Sequence, residues 1–201
     1  SSGNFYTQIM QGAPFHLYMS ADEVYVNKLH SAGKTVDQGR LYAYGRIGIF
    51  VPRNSAVKAD SNLDDLAKAL EDGRLDKFAI ANPDHAPYGE RAVQALQHRG
   101  IWDRIKPKLV YGENITQAAQ FALSGSSQGG IIALSLAKAP AIGNQGHFAL
   151  IPGSWHQPLA QRMVMIKNSP EQTKLFYTFL QAGPAQLIFK KYGFEMPTEL
   201  K

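Results

Sequence analysis

Three segments carry the residue types best suited to holding a small anion. They are Ser1-Ser2-Gly3-Asn4, Asn82-Pro83-Asp84-His85-Ala86-Pro87-Tyr88-Gly89 and Gly112-Glu113-Asn114-Ile115-Thr116-Gln117. Each reads as a short polar or Gly/Pro-containing loop running into a helix. The first N–H groups of a helix have no partner inside it and carry partial positive charge. Several such starts facing one crevice bind an oxyanion without Lys or Arg. Taken singly, Ser, Asn and Pro at these places are plain helix caps. Only the three together point to a site.

Other chemistries find little support. The absence of cysteine removes disulfides, thiolate metal sites and Cys nucleophiles together. His16, His30, His85, His98, His147 and His156 show no metal-ligand spacing, and no H-x-x-x-H pair occurs. The run Ser124-Gly125-Ser126-Ser127-Gln128-Gly129-Gly130 invites a phosphate-loop reading but lacks the Lys-Ser/Thr of a P-loop, so a helix stop and turn is the better account. Asp64-Asp65 and Glu71-Asp72 have no partner nucleophile and read as a solvated face. No catalytic residue and no cofactor are expected. The net charge is +5, but the basic residues are spread, with Lys190-Lys191 the only adjacent pair. That argues against nucleic acid. No apolar run approaches the roughly 20 residues of a membrane span, so no direct membrane insertion is expected.

Elements that would position the three loops follow from the pattern. Short apolar strands alternate with amphipathic helices, which argues an α/β fold with largely parallel sheets. Helices are expected at Ser2–Gln11, from a Ser20-Ala21-Asp22-Glu23 capping box to Ala32, at Leu63–Glu71, from Tyr88 or Gly89 to Gly100, from Asn114 to Gly125, from Ser169-Pro170 onward and at Ala185–Tyr192. Strands are expected at His16–Met19, Leu41–Val51, Phe78–Ala81, Leu109–Tyr111, Gly129–Leu134, Phe148–Ile151 and Gln161–Ile166. The strands at 41–52 and 147–152 are candidate crossings between two lobes. The expected division is 1–49 with 148–201 for one lobe and 50–147 for the other.

The run Ala81–Gly89 is followed by Gly100-Ile101-Trp102-Asp103, by Pro107-Lys108-Leu109-Val110-Tyr111-Gly112-Glu113-Asn114-Ile115 and by Gln120-Phe121-Ala122-Leu123-Ser124-Gly125. With Gly12-Ala13-Pro14-Phe15, Ser20-Ala21-Asp22 and Phe189-Lys190-Lys191-Tyr192-Gly193-Phe194, this series closely resembles the periplasmic molybdate-binding proteins of ABC transporters. The resemblance implies a type II periplasmic binding protein fold: two α/β lobes, mixed and mostly parallel sheets with helices on both faces, and ligand in the cleft between lobes. It implies molybdate or tungstate as ligand, held by hydrogen bonds alone, with no other metal and no cofactor. It implies a monomer in the periplasm that delivers its ligand to a membrane permease.

Carried over by position, Ser2 gives a hydroxyl and a backbone N–H, with Ser1 beside it, and Tyr88 and Ile115 give backbone N–H groups. Some members place a tyrosine hydroxyl on the anion from the position of Ala133; others carry the tyrosine where Tyr88 stands, so Tyr88 is expected to use both hydroxyl and N–H. Two departures stand out. Family members begin with a strand, a loop bearing one more anion ligand and a long helix; all would precede Ser1 and are expected to be missing. His16 stands where many members have Asp. The same fold also serves as the oxyanion-sensing effector domain of transcriptional regulators, which is the alternative expectation.

Overall fold

A computed structural model describes residues 1–197. In chain order the first half forms α1 (Ser2–Met10), β1 (Leu17–Ser20), α2 (Glu23–Ser31), β2 (Arg40–Gly45), β3 (Ile47–Pro52), α3 (Asp64–Glu71), β4 (Phe78–Ala81) and α4 (Pro87–His98). There follow α5 (Trp102–Ile105), β5 (Leu109–Gly112), α6 (Ile115–Leu123), β6 (Gly130–Ala133), α7 (Leu134–Ala137), α8 (Pro140–Gly143), β7 (Gly146–Leu150), β8 (Leu159–Met165), α9 (Glu171–Phe179) and α10 (Gly183–Lys191). The chain divides into two units: Ser1–Gly45 with the segment from Leu159 onward, and Arg46–Pro158.

Unit 1 is built on a three-stranded sheet of order β1-β8-β2, antiparallel throughout. Alternate residues of β8 face opposite sides, as the two-residue period of a strand requires. Val164, with Ile166 just beyond the strand, packs with Tyr18 and with Ile9, Val26 and Leu29 of α1 and α2. Met163 packs with Tyr177 and Leu180, and Tyr42 and Phe189 lie against that cluster. Helices therefore cover both faces of β8.

Unit 2 is built on a five-stranded sheet of order β5-β4-β6-β3-β7. The strands β5, β4 and β6 are parallel, while β3 runs antiparallel to β6 and to β7. Phe50, Ala79, Ala119, Ala122 and Ile132 form a fully buried core between this sheet and α6.

Pairing is thus mostly antiparallel, against the expectation of mostly parallel sheets. Parallel neighbours need a helical crossover, and only β4–α4–β5 and β5–α6–β6 supply one within a single described sheet. The expected strand Leu41–Val51 is broken at Arg46 into β2, which pairs with β8, and β3, which pairs with β6 and β7. The units divide at 45/46 and 158/159, not at 49/50 and 147/148, because β3 and β7 pair along their whole length inside unit 2. Two caps also differ. Asp22, not Ser20, caps α2, its Oδ1 accepting from the Val24 N–H at 2.9 Å. Ser169 does not cap α9; its hydroxyl is drawn to the His16 carbonyl at 2.7 Å, and the helix starts at Glu171.

Candidate functional site

In unit 2, β4 and β5 end side by side, with Ala81 in register with Gly112. Their loops leave from the carboxyl edge of parallel strands, where α/β sheets bind ligands. The Asn82 N–H donates to the Gly112 carbonyl at 2.7 Å, tying one loop to the other. Ala86, the residue before α4, packs with Ala81 and Ala118, and Ile115 lies against them. His85 Nε2 stands 3.5 Å from Glu113 Oε2, a second link between the loops. The sheet therefore brings Tyr88 and Ile115, 27 positions apart in the numbering, to neighbouring helix starts.

The donors at these starts can be counted. Ala86 donates to the Asn82 carbonyl, Pro87 has no N–H, and Gly89 and Glu90 both donate to the Ala86 carbonyl. Tyr88 thus carries the outermost N–H of the first turn, and the residue is only 7% exposed. At α6, Asn114 Oδ1 accepts from the Gln117 N–H at 3.0 Å, and Gln117 Oε1 accepts from the Glu113 N–H at 2.7 Å. This is the expected capping box, shifted so that the glutamine reaches one residue further back. The N–H groups of Ile115 and Thr116 have no acceptor among the described residues. The first turns of α4 and α6 contain no Lys or Arg, so this end of unit 2 offers neutral donors. Ala133, at the end of the adjacent β6, is buried and opens α7; it brings no hydroxyl.

Two glycines allow the close approach. A Cβ on Gly89 would run into the Ala81 carbonyl oxygen, and one on Gly112 would lie 2.5 Å from the Ala118 nitrogen. Neither contact is tolerable, so α4 and α6 sit where they do because these residues lack side chains.

Ser1 and Ser2 belong to unit 1. Ser1 caps α1 without a side-chain hydrogen bond, and Ser2 is its first helical residue, 8% exposed. The Ser2 Oγ accepts from the Ala21 N–H at 3.0 Å, and the Tyr18 hydroxyl donates to the Ser2 carbonyl at 2.7 Å. The N–H groups of Ser2, Gly3 and Asn4 have no acceptor among the described residues. The sequence places the serines at a helix start, as observed, but does not point to Tyr18 or Ala21 as their partners; no local pattern links positions so far apart. It likewise missed Gly89 and Gly112 as packing requirements.

In the 124–130 segment the Ser124 and Ser126 hydroxyls bond each other at 2.8 Å, and Ser127 donates to the Gly129 carbonyl at 2.9 Å. The acidic pairs are not simply solvated, as expected, but ion-paired. Arg74 binds Asp65 and Asp72, Arg99 binds Asp64, and Arg104 binds Glu71.

Comparison with known proteins gives a consistent result. The bacterial extracellular solute-binding protein family matches residues 1–195. The molybdate-binding protein ModA of Rhodobacter capsulatus is 36% identical over 197 residues, covering 96% of this chain and 74% of that protein. The molybdate-binding protein ModA of Azotobacter vinelandii is 34% identical, covering 96% and 75%. A solved structure of the Azotobacter vinelandii periplasmic molybdate-binding protein superposes with a TM-score of 0.86 at 28% identity, over 98% of this chain and 85% of that one.

Proposed function

The chain belongs to the bacterial extracellular solute-binding protein family, and from that membership we propose that it captures molybdate or tungstate and hands it to an ABC transporter permease. It is a binding protein with the α/β fold of the periplasmic binding proteins, not an enzyme. The proposed contacts are the N–H groups of Tyr88 and Ile115, the Tyr88 hydroxyl, and the hydroxyl and N–H of Ser2, with Ser1 beside it. The anion is cargo, and no cofactor is needed. The proposed location is the periplasm and the proposed state a monomer. Among the described residues no helix is long and apolar enough to cross a membrane. The matched relatives are named as molybdate-binding proteins and, in Bacillus subtilis, as a putative ABC transporter substrate-binding lipoprotein, which leaves the effector-domain alternative without support.

One observation supports the ligand class above others: two helix starts lie side by side on parallel strands with no cation in either first turn, and at α6 the N–H groups of Ile115 and Thr116 have no acceptor among the described residues. Each hydrogen bond to a charged group contributes roughly 1.5–3 kcal/mol, so a handful offsets much of the cost of desolvating a dianion. Neutral donors set at tetrahedral corners select by geometry. Sulfate is smaller and fits loosely. Protonated phosphate brings a donor to a site made mostly of donors. Calorimetric titration tests this: molybdate and tungstate should bind tightly and sulfate and phosphate far more weakly. Sulfate binding as tightly as molybdate would sink the reading.

A further inference from the structure

We propose that Tyr18 is a positioning residue for anion capture, holding Ser2 so that its hydroxyl acts as a donor. The inference rests on Ser2 being an anion contact. A serine hydroxyl has one proton and two lone pairs, whereas a fully ionised oxyanion offers acceptors alone. The hydroxyl serves the anion only when its proton points outward. In unit 1 its acceptor side is engaged by the Ala21 N–H at 3.0 Å. The Tyr18 hydroxyl pins the Ser2 carbonyl at 2.7 Å, so the first residue of α1 cannot rotate away. Ser20 Oγ lies 3.2 Å from the same phenol, donates to the Asp22 carbonyl at 2.6 Å and accepts from the Asp22 N–H at 3.2 Å. That clamps the 20–22 turn and with it the Ala21 N–H.

The network is closed to water: Ser20 is fully buried, Tyr18 4% exposed and Ser2 8%. Burial also pushes the Tyr18 phenol far above its ordinary pKa, so it keeps its proton and stays a donor. Among the described residues the Ser2 N–H has no acceptor, and the Ser2 hydroxyl also lies close to the Tyr18 phenol. The Ala21 N–H and the Tyr18 hydroxyl thus occupy acceptor positions on Ser2, one on its hydroxyl and one on its carbonyl.

A double-mutant cycle read by molybdate calorimetry tests this. Ser2→Ala should weaken molybdate about tenfold, and Tyr18→Phe about five- to tenfold. In the Ser2→Ala background, Tyr18→Phe should cost clearly less than in the wild type, because the hydroxyl it orients is gone and only the backbone N–H still depends on the pinned carbonyl. A merely structural Tyr18 would cost the same in both backgrounds, and that result overturns the inference, as does an unchanged affinity for Tyr18→Phe or for Ser2→Ala alone. Should Tyr18→Phe fail to fold, Ser20→Ala loosens the same turn and must show the same dependence on Ser2. A wild-type chain that ignores molybdate overturns the proposed function and this inference together. Tight wild-type binding with no coupling between Tyr18 and Ser2 overturns the inference alone.

Discussion

Tyr88 carries two donors, a hydroxyl and the outermost N–H of its helix, and the two are separable by experiment. Tyr88→Phe keeps the backbone and removes the hydroxyl. If the hydroxyl touches the anion, the change should weaken molybdate binding by about 1–3 kcal/mol in a calorimetric titration. An unchanged affinity would leave the backbone role alone. The residue type was legible in the sequence, since the Asn82-to-Gly89 loop announces a helix start. The count of donors was not. It depends on Gly89 and Glu90 both turning back to the Ala86 carbonyl, which only coordinates reveal.

Helix placement is the next scale, and glycine decides it. Gly89→Ala puts a methyl group against the end of β4, where Ala81 cannot yield without breaking its ladder. The expected cost is about 1–3 kcal/mol of stability, as for overpacking a core, together with weaker anion binding because the first turn of α4 shifts. Urea unfolding and calorimetry on the same variant check both.

A second element is held by charge. Arg74 grips Asp65 through two hydrogen bonds of 3.0 and 3.1 Å and also reaches Asp72. This pairing holds the Asp65 carboxyl below its ordinary pKa. A carboxylate lowered in the folded state adds stability above its unfolded pKa, and the gain is lost as pH falls through the folded value. Arg74→Ala should therefore lower stability slightly at neutral pH, because the side chains are partly exposed and solvent screens the pair. The gap between wild type and variant should close as acid protonates Asp65. Urea midpoints across an acid series check the sign.

For the whole molecule the prediction is linkage. At a molybdate concentration about 100 times its dissociation constant, binding to the native state alone adds roughly 2.7 kcal/mol. In a chain of this size that raises Tm by roughly 5–10 °C. The same concentration of sulfate should leave Tm nearly unmoved. A thermal-shift series with molybdate, tungstate, sulfate and phosphate checks the order.

Much of this architecture is readable without coordinates. Phe78–Ala81, Leu109–Tyr111 and the helix opened by Asn114 are local signals: a strand-sized apolar run, a turn residue, a cap with its glutamine three positions on. Caps and periodicity are decided within a few residues, so the loops bearing Tyr88 and Ile115 could be found in advance. Pairing is another matter. Leu41–Val51 looks like one strand because it is mostly apolar, with Arg46 its one charged residue, yet β2 and β3 join different sheets. Periodicity reports which side of a strand is buried, not against which partner, and the partners here lie about a hundred residues away. The same holds for Ser2. Its place at a helix start is written locally, but the direction of its hydroxyl depends on Tyr18 and Ala21, which reach it only when β1 and α1 pack together.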